Sequence, residues 1–154
     1  MLVLYPVMHE TGHILAAWAT GGTVSRIGVF PFPSVTLSLS GGTEARALFV
    51  AACGGWFPLA VLLLPGSGLF YLYCVKGTTA LMGLCCGVES AVRGIMFLYA
   101  GQECAANDAV IMLRMYPGSK EVVFLTLAVQ IAASAAYLLK TAPPDRIARY
   151  WTGE

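Results

Sequence analysis

The chain has 154 residues, of which 58% are hydrophobic and 11% charged, with a formal net charge of +1 and a mean hydropathy of +0.74. A soluble domain is roughly a quarter charged, so the composition points instead to a multi-pass integral membrane protein of the cell membrane, in contact with the lipid bilayer. The nine Lys and Arg residues are scattered from Arg26 to Arg149, which leaves no basic patch for a nucleic-acid partner.

A helical span takes about 20 residues. Three or four spans therefore fill one membrane-embedded domain, residues 1–140, and residues 141–154 read as a short polar tail. The N-terminus carries no positively charged leader and no small-residue cleavage site, so residues 1–19 are expected to be retained.

The first apolar run, MLVLYPVMHETGHILAAWAT, ends at Gly21-Gly22, a helix-stop signal. Pro6 either starts its helix or kinks it. From Val24 to Ser40 the pattern becomes that of a hairpin. VTLSLS alternates strictly, with Val35, Leu37 and Leu39 on one face, and VSRIGVF is its partner strand. The intervening PFP, with Pro31 and Pro33, suits a turn. An open strand edge cannot face lipid, so the hairpin must lie at the interface or line a cavity walled by protein.

A second apolar run spans residues 45–64 and is broken by Pro65-Gly66-Ser67-Gly68. LFYLYCVKG is too short to span, and either extends the preceding helix beyond the break or lies at the interface. The third span covers residues 78–100 and carries Glu89 and Arg93 one turn apart, placed to pair. ECAANDAVIMLRMYPG makes a short helix, ended by Pro117-Gly118, and the last span covers residues 121–139. The fold class is an α-helical bundle of three to four transmembrane helices with a β-hairpin after the first. Basic residues fall equally on both sides, so the positive-inside rule assigns no orientation. Five cysteines, an odd number without C-x-x-C spacing, read as small apolar packing residues.

Both histidines of the chain lie in the first span. His9 and His13 are four residues apart, which on a helix turns both imidazoles to one face within reach of one ion, and Glu10 follows the first. In this H-E-x-x-H arrangement zinc holds an activated water and the glutamate takes its proton. With two histidines and six glutamates in the chain, chance would produce the pattern about once in two thousand such compositions. Polar groups at the centre of a span cost about 2.5–3.5 kcal/mol when charged and generally mark function.

A catalytic zinc takes three protein ligands and leaves a fourth position open. Without a third histidine, the remaining ligand must be acidic. Asp108, following Asn107 near the start of the short helix, is the expected ligand; with Glu10 it would neutralise a divalent ion. Glu89 and Glu103 are rivals, although Glu89 has Arg93 as partner and Glu103 could merely cap a helix. Asp145, in the tail after two prolines, is poorly placed.

HETGH in an apolar first span, ATGG and a hairpin, the small-residue and proline stretch AACGGWFPLA, and a late ND together resemble the site-2 protease family of intramembrane zinc metalloproteases, in its small, minimal branch. The likeness extends from His9 to about Arg114. It implies one zinc per chain on His9 and His13, Glu10 as general base, and Asp108 as the late aspartate ligand. The implied activity is hydrolysis of peptide bonds in a membrane-anchored protein or peptide, such as a transcription-factor precursor or an anti-sigma factor, as part of regulated proteolysis. The fuller N-x-x-P-x-x-x-L-D-G signature is missing: Ala109 follows Asp108, and the chain contains no PDZ-like segment. Two other functions compete. One is a catalytically inactive scaffold or chaperone that keeps the motif, and the other a small transporter subunit with Glu89 and Arg93 in its pathway.

Overall fold

The computed structural model describes residues 4–29, 33–39, 41–66, 68, 70–104 and 107–141, without the side chains of 70 and 73. Pro31 of the expected turn, Ser40 at the end of the second strand and residues 142–154 of the tail, Asp145 included, lie outside them. Among the described residues there are five α-helices and one hairpin: α1 (Leu4–Ala19), β1 (Thr23–Gly28), β2 (Ser34–Ser38), α2 (Glu44–Leu63), α3 (Thr78–Ala100), α4 (Asp108–Met115) and α5 (Lys120–Thr141).

α1 accepts Pro6 within its first turn, where no intrahelical N–H is needed. It stops at Gly21, whose φ of 77° lets the chain fold back. Gly21 N–H then donates to the Trp18 carbonyl (3.0 Å) and Gly22 N–H to the Ala17 carbonyl (2.7 Å), satisfying carbonyls the helix end leaves open. This closure launches β1 directly.

β1 and β2 pair antiparallel, Val24 opposite Leu37 and Ile27 opposite Val35, with an irregularity at Ser25. Ser25 Oγ donates to the Thr36 carbonyl at 2.9 Å. Val35 and Leu37 are half-buried between exposed Ser34, Thr36 and Ser38, the alternation expected of VTLSLS. Leu37 and Leu39 rest on a small core of Ala16, Ala17 and Val50, so the hairpin lies against α1 and α2. The strands are shorter than the sequence suggests, and the first begins at Thr23 rather than Val24.

Thr43 caps α2, its side chain accepting from Arg46 N–H. The helix ends at Leu64, which is extended (ψ 138°) as the residue before a proline must be. The following stretch does not prolong α2, as one expectation had it. Residues Phe70–Gly77 form a π-helical segment that runs into α3. Lys76 explains the join, because its buried Nζ reaches back to donate to the carbonyls of Leu62 (3.0 Å) and Leu64 and so caps the end of α2 from the next helix.

Three helices are long and apolar enough to cross a membrane: Glu44–Leu63, Cys74–Ala100 and Pro117–Thr141, of 20, 27 and 25 residues. The 16 residues of α1 fall short of the roughly 20 a span needs. α1 and α2 approach closely at Gly12, where a Cβ would lie 2.3 Å from the Cys53 carbonyl oxygen. Such contact between small residues is how helices associate without a hydrophobic driving force. A second core of Ala109, Leu113 and Val123 joins α4 to α5 and is flanked by Leu48 of α2 and Phe97 of α3.

Candidate metal centre

α1 turns His9 and His13 to one face, and α4 brings Asp108 to meet them from 95 residues further along the chain. The three ligand atoms form a nearly equilateral triangle: His9 Nε2 to His13 Nε2, His9 Nε2 to Asp108 Oδ2 and His13 Nε2 to Asp108 Oδ2 are each 3.1 Å. Among the described residues this is the group of His, Cys, Asp and Glu side chains with the spacing to hold a metal ion. Glu89 and Glu103, the rival ligands, are engaged elsewhere. Arg93 Nε donates to Glu89 at 2.7 Å, and Arg114 lies 3.7 Å from Glu103.

The donor set itself calls for a cation. His13 Nδ1 lies 2.8 Å from the Val50 carbonyl oxygen. A carbonyl only accepts, so Nδ1 carries a proton, and in the neutral imidazole that leaves Nε2 as the lone pair turned towards the other two groups. A lone pair and an anionic oxygen at 3.1 Å repel unless a proton or a metal ion lies between them. Three donors around a tetrahedral metal with bonds of about 2.0–2.1 Å stand about 3.3–3.4 Å apart, within a few tenths of an ångström of the spacing here, and the fourth direction is left open. The residues fit a divalent ion.

Supporting contacts position each ligand. The Val50 carbonyl orients His13 in the manner of an outer-shell partner, and Gly54 makes room for its ring: a Cβ there would lie 2.3 Å from His13 Nε2. Tyr5, buried one turn before His9, stacks on its ring at 6.3 Å between centroids. Asn107 caps α4, its Oδ1 accepting from Val110 N–H at 3.3 Å while Nδ2 donates to Ser90 Oγ at 3.2 Å. Its hydrogen bonds to Val110 and Ser90 are structural and set Asp108 at the first position of α4. Sequence reasoning missed Val50, Gly54, Ser90 and Tyr5; the small-residue run AACGG is a trace of Gly54 alone.

Two clefts meet at this centre. A cleft of about 910 Å³ runs from His13, Glu10 and Asp108 between β2 and α4. On β2 the Thr36 carbonyl faces β1, where it accepts from Ser25 Oγ. Val35 and Leu37 therefore present their backbone groups to the cleft, since alternate residues of a strand point the same way. The second cleft, of about 300 Å³, leaves His9, Glu10 and Asp108 on the α3 side and passes Ser90, Arg93 and Cys104. Arg93 Nη1 donates to Cys104 Sγ at 3.4 Å.

No family model, curated protein or solved structure matches this chain.

Metal content tests the centre. Detergent-purified protein supplied with zinc is expected to hold about one ion per chain by elemental analysis, and His13→Ala or Asp108→Ala to lose it. Gly54→Ala changes no ligand, yet should weaken binding about tenfold by displacing His13, as losses of outer-shell support do. Equal affinity in Gly54→Ala and wild type would show that α2 does not set the ring.

Proposed function

We propose that the chain is an intramembrane zinc metalloprotease that hydrolyses peptide bonds of membrane-anchored proteins within or near the bilayer. The observation that carries this reading is the convergence of His9, His13 and Asp108 on one point, with Glu10 beside it and an open strand edge along the adjoining cleft. The resemblance of HETGH and its surrounding segments to site-2 proteases agrees with it.

Membrane insertion is supported by the surfaces of the three long helices, of which no more than 22% of the most apolar stretch is buried inside the protein. Leu63 (87% exposed) and Leu125 (67%) are among the apolar side chains left outside. Apolar surface on this scale is what a bilayer covers.

His9, His13 and Asp108 would hold the zinc, which when bound would supply a Lewis acid and a water of pKa about 7. The Glu10 carboxylate accepts the proton of the attacking water and returns it to the nitrogen of the leaving amine. A helical substrate keeps its carbonyls in internal hydrogen bonds, so it must unwind before its peptide bond is accessible. The backbone groups of Val35 and Leu37 then receive the extended segment by strand addition. Water reaches Glu10 from the other side, through the cleft past Arg93. The Glu89–Arg93 pair is about half exposed, and charges so exposed within a span require water rather than hydrocarbon around them.

Three measurements follow. Glu10→Gln should retain zinc and lower peptide cleavage by at least about a hundredfold, the usual worth of a general base. Full activity in that variant, or zinc-loaded wild type that cleaves nothing, would favour the inactive scaffold.

Leu37→Pro removes a cleft-facing N–H and should reduce cleavage about tenfold or more at unchanged zinc content, in the range of a lost hydrogen bond to a buried partner. Unaltered cleavage would rule out strand addition.

In reconstituted bilayers, a charged water-soluble thiosulfonate should modify Cys104 in the second cleft and spare Cys85, which is exposed on α3 but lines neither cleft. Equal labelling would contradict burial of α3 in lipid, and protection of Cys104 would close the water route.

A further inference from the structure

A third hollow remains after the two clefts. It holds about 80 Å³ of free space, opens beside His9 and Asp108, and reaches inward between α2, α4 and α5 to Gln130. Its walls are mainly apolar, with Ala52 on α2 and Leu127 on α5 facing into it. Ala51, Met112 and Asp108 line both this hollow and the large cleft along β2, so it branches sideways from that cleft at the level of the ligands. Its inner end is held in place: buried Gln130 Nε2 donates to the Gly83 carbonyl at 3.0 Å and lies 3.5 Å from the Tyr5 hydroxyl.

We infer that this hollow is the specificity pocket of the protease and takes one aliphatic side chain of the substrate, of the size of valine or leucine, from the residue flanking the cleaved bond. The inference rests on the protease reading above. Three observations support it. The pocket shares a wall with both the ligand set and the strand-lined cleft, so a segment lying along β2 passes its mouth. In an extended segment successive side chains point to opposite sides and same-side neighbours are about 6.6 Å apart; one side chain enters and those beside it do not. The volume sets the upper limit, being about half of the roughly 150 Å³ in which an apolar cavity admits benzene. Aromatic side chains are excluded, and the mainly apolar walls disfavour a charged one.

The test uses the full chain loaded with zinc and a mixture of synthetic apolar peptides of varied sequence, with cleavage sites read by mass spectrometry. Wild type should favour Val or Leu over Phe at a single position flanking the cut by about tenfold or more, the discrimination a hydrophobic pocket achieves. Ala52→Leu, which fills the pocket, should move the preference at that position to Ala or Gly. Leu127→Ala, which enlarges it, should admit Phe, a gain that misfolding cannot produce. Cleavage with no such preference, or with the same preference in all three proteins, overturns the pocket and leaves the protease reading intact.

A second readout does not depend on turnover. With methyl-labelled methionine, the Met112 resonance should shift on adding N-acetyl-leucinamide, but not N-acetyl-phenylalaninamide, and should not respond in Ala52→Leu. A Met112 signal indifferent to both compounds overturns the pocket even if no peptide is cleaved. A selective shift without any cleavage sustains an aliphatic binding pocket but sinks the protease reading and, with it, the pocket's role in cleavage specificity.

Discussion

The arrangement depends on one electrostatic requirement: three electron-pair donors, two imidazole nitrogens and a carboxylate oxygen, are held 3.1 Å apart where they repel unless a positive charge sits among them. The fold enforces the proximity from two sides. α1 supplies the histidines as a pair, since a four-residue spacing is one helical turn. The carboxylate comes from α4, which is capped by Asn107, tied to α3 through Ser90, and packed on α5 through Leu113 and Val123. A carboxylate at the first position of a helix also meets the positive end of its dipole, which favours the anionic form a metal ion needs.

The close approach of α1 and α2 serves the same requirement. Gly12 lets the backbones touch, Gly54 leaves space for the imidazole, and the Val50 carbonyl then decides which nitrogen of His13 carries the proton. Bulk at either glycine would part the helices and release that tautomer. Packing in this pair is thus inseparable from ligand chemistry. The small residues that bring helices together in an apolar setting here also select the bare nitrogen.

How much of this was legible depends on whether the information resides in side-chain identity or in backbone geometry. HETGH displays its chemistry because residue type and spacing alone place the donors on one helix face. The VTLSLS strand was readable for the same reason, its period of two appearing directly in the half-buried Val35 and Leu37. Asp108 was reachable by elimination among few carboxylates, although its meeting with the histidines is a tertiary fact. The Val50 carbonyl left no signal, because every residue has a carbonyl and only the approach of α2 makes this one a partner of His13. Likewise, nothing in LFYLYCVKG announces that Lys76 turns back to cap α2 and so assigns the segment to the following helix. That outcome follows from the geometry of a helix end, which pattern reading treats as a boundary.

The two clefts give the centre a division that a single opening would not. Glu10 and Asp108 border both, so the Glu10 carboxylate lies where a strand-lined passage and a polar passage join. A peptide segment extended along β2 would seal the first passage with its own backbone and leave the second free. Under the proposed function, water would then reach Glu10 through the second passage. The half-exposed Glu89–Arg93 pair fits the polar side of that division. On a lipid-facing surface it would oppose insertion, whereas on a hydrated wall its cost is small and it keeps the passage from closing on apolar contacts. What looked in the sequence like an isolated charge pair in a span is, in the fold, part of the same polar wall as the metal ligands.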